Sequence, residues 1–98
     1  RVEIYPDFAN LYISQSTPIE VSLEINGNLP NPCHQLRVNV QPVNGENQIL
    51  IEVYAVVDSG AICAQVIQEF EVSVPLGSFP SGHYSVLVNG TEIGQFDV

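Results

Sequence analysis

Ninety-eight residues leave room for one domain, since so short a chain cannot supply two independent cores. An apolar fraction of 45% excludes a disordered tail, and no run approaches the roughly 20 apolar residues that span a bilayer. Eleven acids against two bases, Arg1 and Arg37, give a net charge of −9, which excludes a basic footprint for nucleic acid or for an anionic membrane.

Residues 2–5 and 8–13 read as one edge strand, kinked at Pro6-Asp7. Over 19–25 the odd positions are apolar and Glu20, Ser22 and Glu24 take the other face, the pattern of a half-solvated strand. Asn26-Gly27 marks a turn and opens a proline-stiffened loop over 27–33, with Leu29 and Pro30 at its tip. Residues 36–41 alternate again. Asn44-Gly45 then suits the positive φ angles of a tight hairpin.

Residues 49–57 are apolar on nearly both faces, interrupted only by Glu52, and form the best candidate for a central strand. Asp58-Ser59-Gly60 ends it. From Ile62 the even positions are apolar again at Ala64 and Val66 and then at Phe70, Val72 and Val74, although a short helical turn over 61–65 stays open. A loop over 75–82 presents Leu76 and Phe79 between prolines. Tyr84, Val86 and Val88 define a further strand, and Asn89-Gly90 turns it into a last one, 92–98. There a bulge near Gly94 would keep both Ile93 and Phe96 inward.

Seven or eight short strands with no 3.6-residue period predict an all-β sandwich. The two cysteines lie 30 positions apart, and a Cys33–Cys63 disulfide is the default for a small β domain in an oxidising compartment. In a reducing compartment the same residues would be buried or reactive thiols. Closing that loop would stabilise the fold by about 3–4 kcal/mol.

Gly82-His-Tyr-Ser-Val86 has the form G-x-Y-x-V and resembles the tyrosine-corner segment of immunoglobulin-like domains. Tyr84 would fasten its hydroxyl to nearby backbone. Val86 stands where antibody domains place their second cysteine, and there is no tryptophan, so an antibody-type domain is excluded. The run Leu29-Pro-Asn-Pro-Cys-His34, with Phe70-Glu71, Val74-Pro-Leu-Gly77 and Val88-Asn-Gly90, is similar to small extracytoplasmic bacterial domains found in lipoproteins or secreted proteins. That resemblance implies export, a Cys33–Cys63 bridge and an Ig-like antiparallel sandwich over residues 1–98. It carries over no functional residues.

Chemistry-bearing constellations are sparse. Cys33, His34, Cys63 and His83 match no zinc spacing, and a copper site lacks its methionine and paired histidines, so neither a metal nor another cofactor is expected. Ser81, His83 and Asp58 invite a catalytic reading, as does Ser59 in Asp-Ser-Gly. Neighbouring strand positions point to opposite faces, however, and no G-x-S-x-G elbow is present. Glu20/Glu24 and Glu69/Glu71 fall on solvated faces, where a raised acid pKa has no source in burial. Glu52 is either a snorkelling carboxylate or the polar group of a ligand groove. Asp7, Asp58 and Asp97 could contribute oxygens to calcium but show no D-x-D-x-D spacing. Asn89-Gly-Thr91 is a formal glycosylation sequon.

The sequence therefore predicts a monomeric, secreted or surface-tethered, non-catalytic interaction or spacer domain with a protein partner. The alternative is a small protease inhibitor or ligand-binding module acting through Leu29 and Pro30 of the 27–33 loop and Leu76 and Phe79 of the 76–80 loop. The competing reading of Leu29, Leu76 and Phe79 is that they fold back as core caps.

Overall fold

The computed structural model describes residues 2–14, 18–57, 60 and 62–98. Eight strands follow in chain order: β1 (Val2–Glu3), β2 (Phe8–Ile13), β3 (Val21–Leu29), β4 (His34–Val40), β5 (Gln48–Val57), β6 (Gln68–Gly77), β7 (His83–Val88) and β8 (Thr91–Asp97). They form two sheets, β1, β4, β5, β7 and β8 in one and β2-β3-β6 in the other. With one Cys33–Cys63 disulfide and no helix among the described residues, this is the expected all-β sandwich.

The core lies between the two inward rows. On β3, Val21, Leu23, Ile25 and Leu29 are at most 5% exposed, and on β5 so are Ile49, Ile51, Val53 and Ala55. Each of these valine, leucine and isoleucine side chains contributes about 1.5–3 kcal/mol by leaving water. Strict alternation put these rows on one face, which is why the strand content was legible from sequence.

One pairing departs from an all-antiparallel sandwich: β5 and β7 run parallel, with Gln48 opposite Ser85 and Ile51 opposite Val88. The chain leaves β5, crosses to the other sheet as β6 and returns, so β7 enters the first sheet in the same direction as β5. The β7 ladder reaches only the first half of β5. Beyond it β1 takes over the same edge, Val2 opposite Ala55 and Glu3 opposite Tyr54. The kink at Pro6-Asp7 is therefore a change of sheet, with β1 on one layer and β2 on the other.

Of the three Asn-Gly steps, only Asn89-Gly90 is a two-residue hairpin turn, with φ of 50° and 84° between the paired Val88 and Thr91. Asn26-Gly27 lies inside β3, paired with Glu71 and Phe70. Gly27 is needed there for room: a Cβ would sit 3.0 Å from the Phe70 ring. At Asn44-Gly45 the Asn44 Oδ1 accepts from the backbone N–H of Glu46 (2.9 Å) and Gln48 (3.0 Å), and Asn47 takes the positive φ. The bulge in β8 falls at Ile93, since Val86 faces Gly94 while Leu87 faces Glu92.

The strand signal from Ile62 onward was misplaced. Residues 62–67 form no strand and no helical turn, and β6 begins at Gln68 and runs on through Pro75 and Leu76. Residues 58, 59 and 61 lie outside the described residues.

Candidate functional site

Three of the four residues singled out as partner-binding point inward. Leu29 ends β3 and is 5% exposed, and Leu76 belongs to the inward row of β6. Phe79 packs on Tyr84 and Phe96, with ring centroids 5.2 and 5.6 Å away. Pro30 alone of the four is exposed. Apolar side chains at loop tips are drawn to the open end of the sandwich, where they exclude water from the last core layer.

The loops themselves are tightly organised. The connection to β4 shrinks to residues 30–33, where Asn31 Oδ1 accepts from the Cys33 N–H (3.0 Å) and lies 2.9 Å from His34 Nδ1. Tyr84 donates its hydroxyl to the Pro80 carbonyl at 2.8 Å, the fastening that the G-x-Y-x-V segment implied. Asn89 is committed too: its amide bonds to the backbone of Val53 and Ile4, so the sequon asparagine serves as a structural bracket.

The chemistry candidates do not converge. Cys33 and Cys63 are joined to each other, with Cα atoms 5.9 Å apart. His34 pairs opposite Val57 at one end of β5, whereas His83 precedes Ser85, which faces Gln48 at the other end. His83 Nδ1 lies 2.6 Å from Asp97 Oδ1 and its Nε2 lies 2.9 Å from Gln95 Oε1. With an oxygen acceptor at each ring nitrogen the imidazolium is favoured, and the bond to Asp97 above all raises the pKa. That geometry occupies His83 with its cross-strand neighbours rather than with Ser81. Asp58, the third member of that constellation and a calcium candidate, and the separate candidate Ser59 lie outside the described residues.

Glu52 is neither bare nor deep. Its Oε1 accepts from Asn39 Nδ2 (3.2 Å) and Gln41 Nε2 (2.9 Å) on the outer face of the β4–β5 pair. Asp7 accepts from Asn28 Nδ2 at 3.1 Å, and Asp97 sits on the other sheet with His83. On the outer face of β3 and β6 the Glu24 carboxyl hydrogen-bonds to Glu71, which raises its pKa. Among the described residues no three histidine, cysteine or acidic side chains gather as metal ligands.

What sequence reasoning missed is the connection from β5 to β6. Ile62 is 103% exposed, Ile67 70% and Val66 55%, and Val56 and Val57 at the end of β5 are exposed as well. Cys63 ties this segment to the start of β4, so three bare aliphatic side chains stand on a pinned loop. The signal was available: no charged residue occurs between Asp58 and Glu69.

Comparison with known proteins adds relatives and a family. The chain is 36% identical over 78 residues to the "Uncharacterized 10.2 kDa protein in HgiCIIM 5'region" of Herpetosiphon aurantiacus, covering 79% of this chain and 82% of that protein. It is also 36% identical over 75 residues to the corresponding HgiBIM 5'region protein of that organism, covering 76% and 90%. No solved structure matches. Residues 23–98 match the model of the ORF11 beta-sandwich domain, and the chain belongs to that family.

Proposed function

We propose that this chain is a non-catalytic, Ig-like interaction domain that works outside the cytoplasm and binds a protein partner. The observation that carries this reading is the loop of residues 62–67, where Ile62, Val66 and Ile67 stand exposed beside a disulfide. Contiguous exposed apolar side chains on a preorganised segment are what a partner buries at low entropic cost. The Cys33–Cys63 bond supports an oxidising compartment, and the Tyr84–Pro80 bond supports the Ig-like relationship.

The test is photo-crosslinking in the producing cell from a benzophenone amino acid placed at Ile62 or Ile67, with Asn10 as the control position. A discrete adduct from 62 or 67 and none from 10 supports the reading. Adducts equal at all three positions, or none at any, would reject it.

A spacer reading rests on a different observation. Val2 pairs near the C-terminal end of β5, whereas Asp97 pairs with His83 next to the N-terminal end. The chain thus enters and leaves the first sheet at opposite ends, the arrangement of a link in series.

A further inference from the structure

The two sides of the sandwich are built differently. On one side β2 lies against β8, with Leu11 so close over Gly94 that a Cβ there would sit 2.9 Å from Leu11 Cδ1. On the other side lie β4 and β6. Each pairs along a single edge, β4 with β5 and β6 with β3, and no ladder joins them among the described residues. Their inward rows, Leu36, Val38 and Val40 on β4 and Phe70, Val72 and Val74 on β6, touch the core but are only half-buried. The matching rows one strand further in are at most 5% exposed. An apolar seam therefore runs along this side between two strand edges that have no ladder partner among the described residues. Local side chains donate to the Leu36 carbonyl on β4 (Arg37 Nη1, 3.1 Å) and to the Glu69 carbonyl on β6 (Gln68 Nε2, 3.4 Å).

The two lips differ in charge. The outer row of β4 carries Gln35, Arg37 and Asn39, while that of β6 carries Glu69 and Glu71, both exposed, with Glu24 on the same outer face of β3. Carboxylates on an edge strand guard it against self-association, because a second copy pairing there would bring like charges together. The same carboxylates attract a strand of opposite charge.

We propose that the free edge of β6 receives an extended segment of a partner protein that alternates apolar residues with lysine or arginine. Residues opposite Phe70, Val72 and Val74 point into the seam and cover it, because directly opposed residues share a face. The residues between them stand beside Glu69 and Glu71. Backbone pairing supplies affinity and the alternation supplies specificity, the general mode of β-strand addition. Pro75 has no N–H to donate, so the new ladder runs along Gln68 to Val74. This rests on the interaction-domain reading but not on the 62–67 loop.

The test is titration of the whole chain with a peptide of alternating lysine and valine long enough to span those seven β6 positions, followed by backbone amide NMR and hydrogen exchange. The expected result is a one-to-one complex with shifts and new exchange protection centred on β6. The same peptide interrupted by prolines should not bind. The exposed double substitution Glu69→Lys/Glu71→Lys should weaken the lysine peptide by about tenfold and admit a glutamate–valine peptide instead. No shifts in β6, shifts centred on β4, binding of the proline peptide, or affinity unchanged by the charge reversal would each overturn the proposal. So would a concentration-dependent dimer in which β6 is the protected edge. Ile67 adjoins Gln68, where the new ladder begins, so the two experiments are read apart by outcome. An adduct from Ile62 with no β6 shifts sinks the strand pairing alone, and a β6-centred complex with no adduct at any position sinks the loop reading alone.

Discussion

The side chain of Asn89 holds the backbone of Val53 from both sides, accepting from its N–H at 2.8 Å and donating to its carbonyl at 2.9 Å. A third bond, from Asn89 Nδ2 to the Ile4 carbonyl at 2.8 Å, reaches β1. Val53 sits where β7 has ended and β1 has not yet begun, so a side-chain amide completes the ladder at the point where two strands share one edge of β5. A buried strand edge left open there would strand polar backbone groups in the core.

Asn89→Ala should therefore destabilise the fold by about 2–4 kcal/mol in urea unfolding, the sum expected for orphaning the Val53 N–H and the Ile4 carbonyl, since the Val53 carbonyl keeps the Ile4 N–H. Asn89→Gly keeps the positive φ of the turn at no steric penalty. A loss in the glycine variant close to that of alanine would assign the effect to the bracket, and a loss near zero would assign it to the turn. Expressed through a eukaryotic secretory route, the native chain should show an unmodified Asn89 by intact mass, because the amide nitrogen is engaged.

Phe79 closes the aromatic cluster whose other members, Tyr84 and Phe96, have ring centroids 5.3 Å apart. Phe79→Ala should lower stability by about 2–3 kcal/mol, the lower end of aromatic truncations because Phe79 is only half-buried. Tyr84→Phe keeps the ring and removes only the bond to Pro80, for about 1 kcal/mol. A Phe79→Ala variant with unchanged melting temperature would contradict the core-cap assignment.

The disulfide closes a 30-residue separation and should contribute about 3–4 kcal/mol by restricting the unfolded chain. The double variant Cys33→Ser/Cys63→Ser should show a correspondingly lower urea midpoint. It should also show faster amide exchange confined first to residues 62–67, which lack a ladder of their own. Uniform exchange gains across β3 and β5 would argue that the bond supports the core rather than the loop.

His83 and Glu24 both make stability fall as pH rises. His83, raised from 6.5 mainly by its bond to Asp97, contributes stability fully present below 6.5 and lost as pH climbs through its folded value. Glu24, raised from 4.5 mainly by its bond to Glu71, contributes in the same direction, in a window that opens at 4.5. Asp97→Asn should flatten the melting-temperature profile above 6.5, and Glu24→Gln should flatten it from 4.5 upward, raising stability at neutral pH by removing one of two opposed carboxylates. A profile in which neither substitution changes the slope would show that these surface pairs are screened by solvent.

Alternation alone determined most of this fold. The inward rows of β3 and β5 and the bulge near Gly94 were legible because they depend on local period, the disulfide because the chain holds two cysteines, and the Tyr84 fastening through the resemblance that its G-x-Y-x-V segment carries. The tertiary structure decided whatever depended on which strand lies beside which. Asn26-Gly27 has the chemistry of a turn, yet packing Phe70 against a residue without a Cβ kept it inside β3. The parallel pairing of β5 with β7, the handover to β1 and the bracket at Asn89 follow from a crossover that no local pattern encodes. The same holds for the surfaces. For Leu29 and Phe79 the sequence left partner contact and core cap both open, and the open end of the core drew them in, whereas the uncharged stretch from Ile62 to Ile67 found no core position left to fill and stayed in water.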